Sequence, residues 1–523
     1  MRNVAWWAAL AAVGAVCALA VAGDPRGRTL LTNTLAYAGA VSAASMLLGA
    51  PLAFLLARTD VPGRRLAGVA LSAILFTPLY LIAAAWQAGF GFQGWLSLAV
   101  GGVSLLDGWR GAVFIQTMAA VPWVVLIAGV GLRLAEAELE EEAILDGTPG
   151  QVFRRVTLRR TAESLITAFL WVFVATAGEM TVTDLYLIRT YAEEIYTQFA
   201  LGDTLEGAVW QLAPSMALVI WIIMVGLFVV ARLIPPDRHD SQRQLAPFRL
   251  RRWRAAAAAI SLLGVGVLVL VLVPIVSLAV QAGRVVTRVG DSLERGWLAA
   301  QFMNMTLGSP LRFAREIAWT VGIGALAAGA VVAVGLPLAW HARHGGWRAA
   351  PAWLLVAVAL AMPGPLVGLA IIELFNSPNV PLLHWLYDHS IAPIWLAQTW
   401  RAMPLPTLIL WYGLRTIPAE MLHGAQLEGA SPLARFFRVA LPQRWHVVAV
   451  AWLAAFALAS GELDASILVV PPGVSTLPIH IFGLIHYGVD DQVAGVSLFL
   501  FAAFVVYALA FLWVARRTIR DLP

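Results

Sequence analysis

The sequence contains no lysine, so all 35 of its basic residues are arginines. That absence removes the phosphate-gripping lysine of a P-loop and any lysine Schiff base, so if ATP is used, another polypeptide must hydrolyse it. The single cysteine, Cys17, lies in an apolar run and excludes both a disulfide framework and a thiolate metal cluster. Charge is scarce as well: 12% of residues are charged against 60% hydrophobic, with a mean hydropathy of +0.79. A soluble surface needs roughly twice that charge, so the composition points to an all-α, polytopic membrane protein. No His-Glu-x-x-His, no Gly-x-Ser-x-Gly and no paired nucleophile and base occur, which argues against a membrane-embedded enzyme. The basic balance, with a pI of 9.7, is better explained by topology determinants and anionic-lipid contacts than by nucleic acid, because the arginines crowd beside apolar runs.

Apolar runs of about 20 residues mark twelve candidate spans. The first six lie near 4–22, 30–57, 66–90, 111–132, 161–188 and 208–234, and six more near 255–282, 313–340, 353–375, 391–414, 447–470 and 493–515. The first, with Arg2 ahead of it and ALAVAG behind, has the outline of a cleaved signal peptide; a retained helix keeps two balanced sets of six. With both termini inside, 24 arginines fall in inner segments and one more at Arg2, against nine in outer loops and Arg401 within a span. That asymmetry sets the expected orientation. The polar, proline-marked stretch 235–254 then reads as an inner linker between halves 1–234 and 255–523.

The halves repeat one another. At an offset of 282, Gln116-Thr117 matches Gln398-Thr399, Pro122 matches Pro404, and Gly131-Leu132-Arg133 matches Gly413-Leu414-Arg415. Glu138, Ala143, Leu145 and Asp146-Gly147 continue onto Glu420, Ala425, Leu427 and Glu428-Gly429. One extra residue then enters the second copy, and at offset 283 Pro149, Phe153, Arg155, Val156 and Leu158 match Pro432, Phe436, Arg438, Val439 and Leu441. Gly178-Glu179 falls on Gly461-Glu462. Six spans per copy place both copies the same way up.

Each copy carries a polar insert, about 133–161 and 415–446. An acidic helical stretch runs to Asp146-Gly147, where a left-handed glycine is expected to end it. Thr148-Pro149 and Ser431-Pro432 then read as N-cap and N1 pairs that start a second helix, giving a helix-turn-helix knob.

The inserts resemble the loop Glu-Ala-Ala, three residues, Gly, about nine residues, Ile-x-Leu-Pro of permease subunits of binding-protein-dependent ABC importers. The first copy reads Glu141-Glu142-Ala143, Gly147, Val156-Thr157-Leu158-Arg159; the second reads His423-Gly424-Ala425, Gly429, Val439-Ala440-Leu441-Pro442. The second lacks the leading glutamate and the first lacks the closing proline and one spacer, so unequal contacts are expected. The resemblance implies two permease units fused head to tail, as in iron(III) and thiamine importers. It further implies a coupling role for Glu141, Glu142, Ala143, Asp146, Gly147, Ala425, Glu428 and Gly429. Two copies of a cytoplasmic ATPase subunit, an extracytoplasmic substrate-binding protein and a bacterial inner membrane are implied with it. ATP and magnesium would be used by the ATPase, with no cofactor bound by this chain. TYAEEIYTQF from Thr190 and TLPIHIFGLIHYGVDDQVAG from Thr476 look most like the iron(III) type.

Ionisable groups at bilayer depth mark a candidate path. Glu179 and Glu462 occupy equivalent positions after a glycine, Asp184 and Asp464 lie just beyond, and Arg401 stands where the first half has Ala119. A small cation suits such a path; alternatively the glutamates satisfy backbone groups at helix breaks. His480 and His486 are six apart, which is not a helical metal pair. A secondary transporter with two six-helix halves is the competing class, since ARTDVPGRR from Ala57 approaches the loop motif of that group.

Overall fold

The computed structural model describes residues 24–133, 137–201, 253–289, 292–343 and 349–520, together with Trp221 and Leu250. The expected spans 4–22 and 208–234, and nearly all of the linker 235–254, lie outside the described residues. Contacts group the chain into two compact units: Met1–Arg312 with Gly483–Val505, and Phe313–Phe482 with Val506–Pro523. The packing units therefore do not coincide with the sequence repeats, because the residues from Trp253 to Arg312 pack within the first unit.

In the first unit, α1 (Pro25–Arg58) starts where the Asp24 carboxylate accepts the Arg26 and Gly27 N–H groups and Pro25 has no N–H to satisfy. Next come α2 (Arg64–Leu75), α3 (Leu79–Phe90), α4 (Gly108–Arg133), α5 (Ala137–Asp146), α6 (Leu158–Ala177), α7 (Tyr191–Ala200) and α8 (Trp253–Ala282). The apolar core joins α1, α4 and α6 through Tyr37, Val41, Ile115, Val121, Ala168 and Val172. Helix α8 seats on this core, with Gly266 against Leu52 and Ser277 against Gly89. A hairpin follows, β1 (Arg284–Val289) paired antiparallel with β2 (Ser292–Trp297), a small exception to the all-helical expectation.

The second unit holds α9 (Ala314–Ala342), α10 (Ala350–Ala361), α11 (Gly364–Phe375), α12 (Ala392–Ala402), α13 (Pro404–Arg415), α14 (Ala419–Leu427) and α15 (Trp445–Ser460). The last helix, α16 (Asp490–Arg520), passes from the first unit into the second at Val505.

Among the described residues, five helices are long and apolar enough to cross a membrane, or eight if three bent pairs each count as one span. The expected straight spans 66–90 and 353–375 are bent, by 106° and 109°. In each a proline, Pro78 or Pro363, stands at the break, with no N–H to donate and a ring that drives its predecessor out of helical geometry. The expected span 391–414 divides at Met403, ahead of Pro404. Spans 161–188 and 447–470 end their helices early, at Ala177 and Ser460, each followed by the matched glycine.

Candidate coupling knobs and intramembrane polar groups

Both inserts fold as helix, turn, short helix. Helix α5 stops at Asp146, the chain restarts at Pro149–Val152, and a π-helical turn, Phe153–Thr157, leads into α6. In the second unit α14 stops at Leu427, a short helix Pro432–Ala434 restarts, and a π-helical turn Arg435–Ala440 leads towards α15. The π turns sit at equivalent positions, and nothing in the residue types announces them. Such turns are frequent at functional sites in helices, though a third, Leu268–Leu272, lies in apolar α8.

The glycines differ. Gly429 has φ +85°, with its N–H donating to Gln426 O and that of Ala430 donating to Ala425 O, both at 3.0 Å. This is the left-handed helix ending expected at Gly147, and it is found at its match in the second copy. Gly147 does not have a positive φ. The first copy is one residue shorter and passes directly into the next cap, where Thr148 N donates to Gln151 Oε1 at 3.1 Å. The caps also differ, since Ser431 Oγ accepts the Ala434 N–H at 3.2 Å. Of the remaining candidate coupling residues, Glu141, Glu142, Asp146 and Glu428 are exposed, while Ala143 and Ala425 are half-buried. Leu145 and Leu427, matched in the repeat, are 85% and 89% exposed.

Nothing in the residue pattern announces how each knob is fastened to its neighbouring helices. Buried Glu140 accepts from Arg58 Nη2, at the last residue of α1, and from Thr157 Oγ1 at 2.6 Å in the π turn. Arg58 Nη1 also reaches Leu132 O, near the end of α4, at 3.3 Å. In the second unit Trp340, at the position equivalent to Arg58, packs on Phe436 with centroids 4.9 Å apart. Arg343 lies over the same Trp340 ring, and burial with nearby Arg435 brings its pKa down to about 10. Buried Arg444 donates to Thr416 O at 2.8 Å. Matched glycines allow the helices above to close: a Cβ on Gly131 would lie 2.0 Å from Ser164 Oγ, and one on Gly413 would lie 2.4 Å from Val447 Cγ1.

The intramembrane groups sit at the helix breaks. Glu462 accepts the N–H groups of Ala465 at 2.7 Å and Ser466 at 3.0 Å, and the Ser466 hydroxyl. Glu179 faces the Val182 N–H at 3.3 Å. Asp184 Oδ2 lies 3.0 Å from His486 Nε2, and Asp464 Oδ2 lies 4.0 Å from Arg401 Nη2. Arg401 Nη1 donates to Met362 O at 3.1 Å, at the bend between α10 and α11. Among the described residues no three acidic, histidine or cysteine groups converge as a metal site requires.

Comparison with known proteins bears on this arrangement. Residues 325–520 match the family described as binding-protein-dependent transport system inner membrane component. The putrescine transport system permease protein of Escherichia coli (strain K12) is 27% identical over 235 residues, covering 43% of this chain and 82% of the relative. The trehalose transport system permease protein of Mycobacterium tuberculosis (strain CDC 1551 / Oshkosh) is 26% identical over 216 residues, 39% of this chain and 74% of the relative. A putative 2-aminoethylphosphonate transport system permease protein of Salmonella paratyphi A (strain ATCC 9150 / SARB42) is 30% identical over 169 residues, 32% of this chain and 61% of the relative. Over residues 325–520, then, the chain is similar to the inner membrane permease components of binding-protein-dependent transport systems.

Proposed function

We propose that the whole chain is a fused pair of permease units that moves a small polar solute inward, driven by ATP and magnesium used in a separate subunit. Two ATPase copies dock on the cytoplasmic knobs Ala137–Thr157 and Ala419–Ala440, and a substrate-binding protein delivers the solute from outside. The observation that carries this reading is the pair Leu145 and Leu427: two nearly naked leucines at one register of the repeat, on otherwise polar loops. A large apolar side chain held in water at two matched sites marks a partner surface. In the proposed cycle nucleotide closure draws the knobs together, and differential ATP affinity for the two permease conformations shifts their populations.

For the cargo we infer an organic solute of the size of a diamine, a disaccharide or an aminophosphonate, the class for which the relatives are named. The iron(III) reading rests on two outer passages alone, and iron is absent from those names. The test is affinity purification of the chain from its own host. The expected result is co-recovery of a nucleotide-hydrolysing subunit, lost in the double variant Leu145→Asp, Leu427→Asp while the permease stays in the membrane. Solute movement in liposomes containing this chain alone would overturn the reading and favour a secondary carrier.

A further inference from the structure

Helix α12 carries two polar side chains one turn apart whose hydrogen-bonding capacity the fold leaves wholly or partly unused. Gln398 is 0% exposed, yet neither its amide oxygen nor its amide nitrogen has a partner among the described residues. A buried amide in that condition is rare and costly, and in native proteins it calls for a specific explanation. Three residues on, Arg401 shares the same helix face. Its side chain is 23% exposed and makes one hydrogen bond, to Met362 O, with the Asp464 carboxylate 4.0 Å away, beyond hydrogen-bond range. Nε and Nη2 of the guanidinium therefore have no protein acceptor among the described residues. An arginine within a span faces a polar cavity rather than lipid, and its planar fork suits carboxylate, phosphonate or phosphate oxygens.

The frame around the pair is rigid in the right places. Met362 O is exposed by the proline break and holds one arm of Arg401. The first half keeps the glutamine, Gln116, whose Oε1 is likewise buried and unpartnered, but has Ala119 in place of the arginine. The cation is thus peculiar to the second unit, and the buried amide is common to both.

We propose that Gln398 and Arg401 form an oxyanion-binding subsite on the solute path of the second unit, taking the acidic group of the transported molecule. The site closes in the conformation described here and opens when the bend between α10 and α11 moves. This deepens the importer reading and rests on it for the direction of transport, but the local chemistry is tested independently.

The test uses the full chain as Cys17→Ser, Gln398→Cys in membrane vesicles of its own host, with and without ATP. The probes are two thiol reagents of similar size, one bearing a sulfonate and one a trimethylammonium. With a guanidinium roughly 7 Å away in a watery path, the two-charge difference between reagents favours the sulfonate by about 8-fold after correction for their rates with free thiol. Arg401→Ala should bring that ratio to about one, and millimolar methylphosphonate should slow the reaction while Arg401 is present. Absence of labelling in every condition, preference for the ammonium reagent, or a ratio indifferent to Arg401→Ala would each overturn the subsite. If Gln398→Cys is not recovered in the membrane, Trp395→Cys, one turn back on the same face, serves for the same comparison. A charge-selective thiol together with failure to recover an ATPase would sink the importer reading and leave the subsite standing.

Discussion

Removing Glu140 is the sharpest perturbation of the first knob. Its carboxylate joins three separate pieces of backbone: α5 on which it sits, the end of α1 through Arg58, and the π turn through Thr157. Arg58 and Glu140 side chains are 2% and 5% exposed, so water screens neither. Truncation by Glu140→Ala takes a carboxylate away from a buried guanidinium, a loss of about 3–5 kcal/mol when one member of a buried pair is deleted. Glu140→Gln keeps an acceptor for Thr157 and an approximate shape, and should lose less, about 1–3 kcal/mol. The double variant Arg58→Met, Glu140→Leu removes both charges and should recover most of the stability, because the desolvation cost goes with them. Thermal unfolding of the purified chain, with ATPase co-recovery as a second readout, checks all three. The expected order of stability is wild type and double variant above Glu140→Gln, with Glu140→Ala lowest. If Glu140→Ala unfolds with the wild type and recovers the same hydrolysing subunit as the wild type does, the ion pair is not the fastening of this knob.

Three further outcomes are expected. Gly429→Ala should destabilise the second knob by about 1–2 kcal/mol, because an L side chain resists a φ of +85° even with open space around it. Gly147→Ala, without that backbone, should cost less, and limited proteolysis at the two knobs compares them. Glu462→Ala should cost about 1–3 kcal/mol for each of the N–H groups of Ala465 and Ser466 left buried, read as a fall in Tm. Glu193 supplies a pH dependence outside the spans. Burial pushes its carboxyl up, as do Glu194 and Asp184, while Thr197 and Arg189 pull it down. A carboxyl raised above its ordinary value of 4.5 lends stability that is full below that value and is lost as pH rises through the folded pKa. Tm measured across pH should therefore fall less steeply above 4.5 in Glu193→Gln than in wild type, and parallel curves would refute the assignment.

What could be read from the sequence is what repeats or what is set by local chemistry. The knobs were legible because Thr148-Pro149 and Ser431-Pro432 are local start signals, and because the two copies match from Gln116 to Glu179 with a single one-residue slip. The glutamates beside Gly178 and Gly461 were legible as candidates, and the structure shows Glu462 capping a helix break. The bends at Pro78 and Pro363 were not read, since an apolar run of about 20 residues has the same hydropathy whether it is straight or folded over. The left-handed ending at Gly147 failed for a countable reason: the first copy lacks the residue that Ala430 supplies to close the turn. The Arg58–Glu140 clamp was hidden because its partners are 82 residues apart and each resembles a solvated loop charge when read alone.

The two fastenings share one contact and differ in another. Phe153 packs on Phe54 and its match Phe436 packs on Trp340, both with centroids 4.9 Å apart, and the first unit adds a buried ion pair where the repeat places Trp340 and Leu422. Offset ring contacts are worth about 0.5–1.5 kcal/mol beyond their buried area and tolerate sliding, whereas a charge-assisted bond between forked groups fixes direction. A lever that must return to one register is served by the first arrangement, and one that must yield by the second. If that division holds, exchanging the charges as Arg58→Glu, Glu140→Arg should restore part of the stability lost in either single reversal, since the geometry asks for opposite charges rather than for a particular donor. Such rescue requires that the pair act as a couple across α1 and α5. Additive losses would mean that each residue instead serves its own helix, and the first knob would then be held no more firmly than the second.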